Sequence, residues 1–263
     1  MISHLLRPFS AGFLQFDVQL DDIAANLRKV TAGLNNLAPG PPGIIVLPEM
    51  WATGFAYHRL PALARQTPEV LAALQQLAAD RHVFLAGSLP EMGLDGKKIY
   101  NTMFITGPAG VIGHYRKQRL FAPIAEDEHL TSGKSPLPID TPLGRIAALV
   151  CYDLRFPELL RSQTGRGAIL LVVSAQWPLA RIDHWRTLLM ARAIENQIFV
   201  IAANRCGADS VAGGTTYGGR SLIIAPNGEI VHEAGGAEEH GYVTIDLAAV
   251  DEVRARFNTV TIV

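Results

Sequence analysis

Cys151 is the residue whose type and position most directly suggest chemistry. It follows the apolar, strand-like residues 146–150, and a polar turn then leads to Pro157 and Glu158, which are typical of the first turn of a helix. A thiol at such a turn lies near backbone N–H groups and a helix N-terminus, which should lower its pKa and favour the nucleophilic thiolate. A single cysteine is still more often a small buried hydrophobe, so a catalytic interpretation needs further groups.

An acid, Glu49, follows the apolar residues 44–47 and Pro48. The carboxyl ends of strands carry the chemistry of many α/β sheets, and partial burial there raises a carboxyl pKa towards that of a useful general base. A helix-capping or solvated acid is the alternative interpretation of Glu49 taken alone.

A basic segment containing Lys117 follows the strand-like residues 111–115. On this segment alone, a solvated basic edge is the favoured interpretation. The functional interpretation is that one lysine turns inward beside the thiol, where its charge would stabilise a thiolate and then an oxyanion. Glu49, Lys117 and Cys151 each end a strand-like run, and chance coincidence of the three contexts is small.

The elements that must position these residues alternate along the chain between apolar runs and segments of helical periodicity. This alternation predicts an α/β layered fold. Helices are predicted at residues 21–37, 67–81 and 182–196, the second capped by Thr67 with Pro68 at its first position. Strands are predicted at residues 12–19, 44–47, 83–88, 99–106, 111–115, 144–150, 168–175, 199–203, 221–225 and 242–246.

Composition excludes several classes of function. The 263 residues include 23 Lys and Arg against 24 Asp and Glu, so no basic stripe indicates nucleic-acid binding. The first eight residues are too short and interrupted for a signal peptide, and no apolar stretch approaches membrane-spanning length. Cys151 and Cys206 cannot form a disulfide framework and lack metal-ligand spacing. We expect a soluble, cytoplasmic protein with one domain over residues 1–263.

Three segments together resemble the signature segments of the nitrilase superfamily of carbon–nitrogen hydrolases. They are Leu47-Pro48-Glu49, Tyr115-Arg116-Lys117 and Cys151-Tyr152-Asp153-Leu154-Arg155-Phe156-Pro157-Glu158. Residues 191–197 and 204–207 are similar to further segments of that family. The resemblance extends from about residue 13 to about residue 245, which is nearly the whole chain.

The resemblance implies a four-layer α-β-β-α sandwich that forms a homodimer and needs no metal or cofactor. It also implies a Glu-Lys-Cys triad, with Cys151 as nucleophile, Glu49 as general base and Lys117 as electrostatic and proton-donating partner. The family often has a second glutamate a few residues before a glycine, here Gly133. Glu126 fits the spacing of the small ω-amidase-like members, and Glu128 fits that of another branch, so we prefer Glu126.

Within the superfamily, these segments look most like the ω-amidases, which deaminate amides of short dicarboxylic keto acids such as α-ketoglutaramate. The backbone N–H of Tyr152 would then help to stabilise the oxyanion. Arg155 would bind the distal carboxylate, because a guanidinium group offers a bidentate fork for it. An ion pair of Arg155 with Asp153 or Glu158 is an equally weighted alternative. Trp177, at the carboxyl end of another predicted strand, would line the pocket.

Three other functions stay open on sequence grounds. A nitrile hydrolase would share the triad, although such enzymes are usually longer than this chain. An N-carbamoyl amide hydrolase would need groups that recognise a ureido end, and none is identifiable. A non-catalytic binding protein on the same fold is disfavoured because Glu49, Lys117 and Cys151 are all present.

Overall fold

The computed structural model describes residues 8–37, 43–209 and 214–260, and it contains two large β-sheets. The first sheet has parallel strands at its centre and antiparallel strands at its edges. Its strands are β1 (Phe9–Gln15), β2 (Gly43–Val46), β3 (Phe84–Met92), β4 (Ile99–Gly107), β5 (Gly110–Arg116) and β14 (Glu239–Ile245). Their order is β14-β1-β2-β3-β4-β5. β1, β2 and β3 run parallel, while β14, β4 and β5 join through antiparallel pairs.

The second sheet has a similar plan. Its strands are β6 (Ile139–Thr141), β7 (Gly144–Val150), β8 (Leu170–Ala175), β9 (Phe199–Asn204), β12 (Leu222–Ile224) and β13 (Ile230–Glu233), in the order β13-β12-β9-β8-β7-β6. The central strands β7, β8 and β9 are parallel, as their predominantly apolar sequences predict for strands covered on both faces. A separate hairpin is formed by β10 (Cys206–Asp209) and β11 (Thr215–Gly218).

Helices cover the outer faces of both sheets. The helices of the described segments are α1 (Ile23–Asn36), α2 (Leu60–Arg81), α3 (Glu126–His129), α4 (Pro157–Thr164), α5 (Ile182–Asn196) and α6 (Ala248–Arg256). α1 and α2 pack on the first sheet, α4 and α5 pack on the second, and the inner faces of the two sheets pack against each other. The four-layer α-β-β-α sandwich that the family resemblance implies is therefore observed. None of the helices in the described segments is both long and apolar enough to cross a bilayer.

The prediction that a helix starts after Thr67 was wrong. The helix α2 begins at Leu60, with a proline in its first turn, and Pro68 lies inside it. Leu60, Leu63 and Ala64 are each 2% exposed, so the first turns of α2 already belong to the buried stripe. The packing of this stripe outweighs the hydrogen bond that Pro68 cannot donate, since tertiary burial supplies most helical stability.

Other elements match the sequence patterns closely. The strand at residues 144–150 and the helix at residues 182–196 have the predicted bounds. The predicted start of α1 is confirmed to within two residues, because Asp22 caps it by accepting a hydrogen bond of 2.8 Å from the backbone N–H of Ala25. The pattern missed α6 and the short strands β6, β10, β11 and β13. Residues 1–7, which bear on the expectation of no signal peptide, lie outside the described residues.

Candidate active site

The ends of three strands bring the predicted catalytic residues together. Glu49 follows β2, Lys117 comes directly after β5, and Cys151 comes directly after β7. Glu126 is the first residue of the single-turn helix α3. Glu49 and Cys151 therefore come from different sheets, and the packing of the two inner faces is what places them side by side.

A buried ion cluster forms the centre of the site. The Nζ atom of Lys117 lies 2.8 Å from Oε1 of Glu49, and 2.8 and 2.7 Å from the two carboxylate oxygens of Glu126. The side chains of all three residues are at most 1% exposed. Glu128 is exposed to solvent. Glu126, rather than Glu128, is thus the second glutamate that contacts the lysine.

Burial and mutual charge set the protonation of this cluster. Burial raises the pKa of Glu49, an effect that the positive charge of Lys117 opposes and the negative charge of Glu126 reinforces. Burial alone would lower the pKa of Lys117, but the Glu126 and Glu49 carboxylates outweigh it and raise that pKa well above its usual range. Lys117 is therefore held as a cation, while Glu49 becomes a stronger base than an exposed glutamate.

The nucleophile candidate occupies a backbone conformation that few side chains adopt. Cys151 has φ of 44° and is partly exposed, and its thiol lies close enough to the Glu49 carboxylate for that charge to act on it. The expectation that its surroundings lower the thiol pKa was wrong. Burial and the Glu49 carboxylate raise that pKa well above its usual range, and the charge of Lys117 and the backbone N–H of Gln176 do not compensate. The resting residue is a thiol, so a base must remove its proton during reaction.

Sequence reasoning missed two amides that hold Glu49. The side chain of Asn101 donates to Oε1 of Glu49 at 2.7 Å and to Oε1 of Glu126 at 3.2 Å. Gln176 donates its backbone N–H to Oε2 of Glu49 at 3.1 Å and its side-chain amide to the Glu49 carbonyl oxygen at 2.8 Å. Gln176 follows β8 directly, so its place at the carboxyl end of a strand was an available signal. Asn101 lies within β4, where no sequence signal distinguished it.

Asp153 joins the lysine segment to the cysteine turn. One of its carboxylate oxygens accepts from the hydroxyl of Tyr115 at 2.9 Å and from the backbone N–H of Val150 at 3.1 Å. The other accepts from the backbone N–H groups of Gln118 at 3.2 Å and Arg119 at 2.8 Å. Asp153 is fully buried, and burial raises its pKa to about 6.

A pocket of about 930 Å³ opens over Glu49, Lys117 and Cys151. Its other walls are mainly apolar and aromatic and include two arginines. They are formed by Phe55, Phe121, Ile124, Tyr152, Arg155, Gln176, Trp177, Pro178, Leu179, Ala180, Arg181, His184, Gly214, Thr215, Thr216 and Tyr217. The predicted pocket residues Tyr152, Arg155 and Trp177 are all among them.

Arg155 does not form the ion pair considered as an alternative. Asp153 is satisfied by the groups described above, and Glu158 pairs with Arg119 at 3.0 Å. The guanidinium group of Arg155 instead stacks on Trp177, and both its Nη atoms lie 3.4 Å from Nδ1 of His184. Among the described residues no carboxylate pairs with Arg155, so its charge faces the pocket.

The side chains in the described part of the chain do not form a metal site. Within residues 8–37, 43–209 and 214–260, no three His, Cys, Asp or Glu side chains are grouped so that they could hold an ion. The ammonium of Lys117 lies 2.8 Å from Glu49 and its positive charge also acts on Cys151, so it can stabilise negative charge in the site.

Comparison with known proteins agrees with this geometry. The family model described as carbon-nitrogen hydrolase matches residues 11–255. A crystal structure of XC1258 from Xanthomonas campestris, described as a CN-hydrolase superfamily protein, superposes with a TM-score of 0.89 at 30% identity and covers 97% of both chains. The chain belongs to the carbon–nitrogen hydrolase family, and the fold and enzyme class implied by the sequence resemblance are confirmed.

Two relatives of known name indicate which members of the family this chain resembles. A protein from Staphylococcus lugdunensis named hydrolase in agr operon is 41% identical, over 80% of this chain and 90% of the relative. The 2-oxoglutaramate amidase of Bacillus subtilis is 36% identical over 92% of both chains. The chain is thus an ω-amidase-like carbon–nitrogen hydrolase.

Proposed function

We propose that the protein is an ω-amidase that hydrolyses monoamides of short dicarboxylic keto acids, such as α-ketoglutaramate, through a thioester on Cys151. The observation that carries this proposal is the position of Arg155 in the same pocket as Glu49, Lys117 and Cys151. Its guanidinium group supplies a charge for a substrate carboxylate while the amide end lies at the thiol. The similarity to a 2-oxoglutaramate amidase supports the same substrate class.

The first step forms the thioester. Glu49 accepts the thiol proton of Cys151 while the sulfur attacks the amide carbon, and the carbonyl electrons move to oxygen. Because Lys117 is held as a cation, its charge stabilises this oxyanion, and the backbone N–H of Tyr152 donates a hydrogen bond to it. One such donor typically contributes about 3 kcal/mol to the transition state. The proton held by Glu49 then passes to the leaving nitrogen, the C–N bond breaks, and ammonia departs.

The second step releases the acid. Glu49, again a carboxylate, removes a proton from a water molecule that attacks the thioester carbon. The C–S bond breaks, the thiolate takes the proton back, and the dicarboxylate product leaves. Both steps need a base of raised pKa next to the sulfur, and the buried Glu49 meets that requirement.

Glu126 gives the buried cluster a net negative charge, which keeps Glu49 basic enough to accept the thiol proton. With Lys117 charged and both glutamates ionised, the three groups carry a net charge of −1. Transfer of the thiol proton to Glu49 moves this negative charge to sulfur without changing the total. Without Glu126, Lys117 and Glu49 would form a neutral pair in which the glutamate is a weaker base.

Ammonia release from a small panel of compounds tests the proposal. The panel contains α-ketoglutaramate, α-ketosuccinamate, glutamine, a neutral aliphatic amide, an N-carbamoyl amino acid and a nitrile. We expect the keto-acid amides to be the best substrates and Cys151→Ala to lose activity by at least about a thousandfold. Cys206→Ala, which alters the other, buried cysteine, is the matched control and should stay active.

Each other outcome has a defined meaning. If only the carbamoyl compound or the nitrile is hydrolysed, the catalytic triad is still supported, but the substrate class is that of the hydrolysed compound. No turnover of any compound by the wild-type protein would favour a binding protein on this fold. Activity that survives in Cys151→Ala would contradict the thioester mechanism.

A further inference from the structure

Within the described segments, Asn101 is the one neutral side chain that contacts both carboxylates of the buried cluster. It lies in β4 and is completely buried. Its backbone carbonyl accepts from the backbone N–H of Lys117 at 2.9 Å, so the same residue also fixes the start of the lysine segment. The two hydrogen bonds of its side-chain amide to Glu49 and Glu126 measure 2.7 and 3.2 Å.

The orientation of this amide follows from its partners. A primary amide has two N–H donors, and each carboxylate receives one. The Oδ1 atom of Asn101 has no hydrogen-bond partner among the described residues, although it is buried. Rotating the amide by half a turn would place that oxygen against two carboxylates and remove both hydrogen bonds. Asn101 therefore acts on the cluster as a donor alone.

We propose that Asn101 is a positioning residue that keeps Glu49 ionised beside Glu126 and Lys117, so that Glu49 can accept the proton of Cys151. This role deepens the proposed hydrolytic function and rests on it. A hydrogen bond to a carboxylate stabilises the ionised form, and an amide provides it without adding charge or titrating. Lys117 alone does not suffice, because its three donors are already shared between Glu49 and Glu126.

Two substitutions separate this role from simple packing. Asn101→Ser removes both amide N–H donors and leaves one hydroxyl on a side chain too short to reach both carboxylates. Asn101→Asp keeps the shape of the side chain but replaces the donors with a third carboxyl group. If Asn101 only fills space, the smaller serine variant should lose thermal stability and keep the wild-type pH profile, whereas the aspartate variant adds negative charge beside Glu49 under either role and calibrates the shift. If it acts as a donor, both variants should be impaired, and the aspartate variant more severely.

The pH dependence of two reactions provides the readout. Loss of a hydrogen bond to Glu49 should move the acidic limb of kcat/KM to higher pH, by about one pH unit in Asn101→Ser and further in Asn101→Asp. The acidic limb of Cys151 alkylation by iodoacetamide should move in the same direction. This limb reports ionisation of Glu49, because the thiol retains its proton over that range.

Thr106→Val is the matched control. Thr106 lies in the same strand, is completely buried, and its hydroxyl group has no partner among the described residues. This variant should keep both wild-type profiles. An unchanged acidic limb in Asn101→Ser, whatever its thermal melting, would overturn the proposal. A shifted alkylation limb in a protein that hydrolyses no amide would support the role of Asn101 and contradict the proposed function instead.

Discussion

The guanidinium carbon of Arg155 lies 4.7 Å from the centre of the Trp177 ring. Trp177 is itself fixed, since its indole N–H donates to the carbonyl oxygen of Arg181 at 2.8 Å and its backbone N–H donates to Asn204 at 2.6 Å. Both Nη atoms of Arg155 also lie 3.4 Å from Nδ1 of His184, so a second partner would bind the part of the guanidinium edge that His184 leaves open. In this pocket we expect that partner to be the carboxylate of the substrate.

Arg155→Lys should therefore impair binding of the acidic substrate selectively. A lysine keeps the charge but loses the planar fork and the stacking on Trp177, so KM for α-ketoglutaramate should rise about tenfold or more. The kcat for a neutral aliphatic amide should change little. Steady-state kinetics on both compounds measure the difference. Arg119→Lys, whose side chain lies outside the pocket lining, is the control, and an unchanged KM in Arg155→Lys would refute the assignment.

Glu126→Gln should reduce activity and move its pH profile. Because the negative charge of Glu126 raises the pKa of Glu49, removing that charge lowers the pKa of the base. The acidic limb of kcat/KM should move to lower pH, while kcat falls about a hundredfold because Glu49 is then a weaker base. The shift is opposite to the one expected for Asn101→Ser. Glu128→Gln, at an exposed position of the same helix, should leave the profile unchanged.

The sequence pattern predicted the strands and helices that position the site more accurately than it predicted the pKa shifts within the site. The strand at residues 144–150 and the helix at residues 182–196 are long and strongly patterned, so their bounds were predictable. The strands β6 and β13 have three and four residues, too few for a period to be read. In α6 only Ala248 and Val250 are buried, so its sequence carries no apolar stripe.

The surroundings of Cys151 were not predictable because they depend on contacts between distant segments. Asn101 reaches Glu49 across 52 positions of the chain, and Gln176 reaches it across 127. The thiol pKa was expected to fall because of the backbone turn around Cys151. That expectation left out the burial of the thiol and the charge of Glu49, which both raise the pKa. Homodimerisation, the cytoplasmic location, the single domain and the roles of the triad residues stay predictions.

Asp153→Asn should change how stability depends on pH. Burial raises the pKa of Asp153 to about 6 from an ordinary value of 3.8. Because the folded protein binds this proton more tightly than the unfolded chain, the carboxyl group costs stability as pH rises between these two values. An asparagine does not titrate. The unfolding free energy of the wild type minus that of the variant should therefore fall by up to about 3 kcal/mol from about pH 4 to about pH 7.

Urea unfolding of both proteins across that range measures the effect. The variant should be the less stable protein at about pH 4, because an amide nitrogen replaces one acceptor and leaves buried donors unpaired, a loss of about 1–3 kcal/mol. Asp140→Asn is the control at an exposed carboxylate, 77% exposed, and should show no such dependence on pH. A difference in unfolding free energy that stays constant with pH would contradict the buried titration of Asp153.

Glu49→Gln should abolish hydrolysis without making Cys151 inert. The variant lacks the base that receives the thiol proton, so kcat/KM should fall by at least about a thousandfold. The thiol should nevertheless ionise more easily, because the Glu49 carboxylate raises the pKa of Cys151 while Lys117 lowers it. Alkylation by iodoacetamide at alkaline pH should therefore reach its plateau at lower pH in the variant than in the wild type.

The two readouts together separate a base from a merely structural carboxylate. In the wild type the ionisation of the Cys151 thiol and that of Glu49 influence each other. The alkylation profile should therefore have two limbs, one for each group. With glutamine at position 49 only the thiol titrates, and a single limb should remain. Glu158→Gln, at an exposed acid near the same turn, should keep both limbs and full turnover. If Glu49→Gln keeps turnover within tenfold of the wild type, another group removes the thiol proton. If it loses alkylation together with turnover, Glu49 mainly holds the cysteine turn in place.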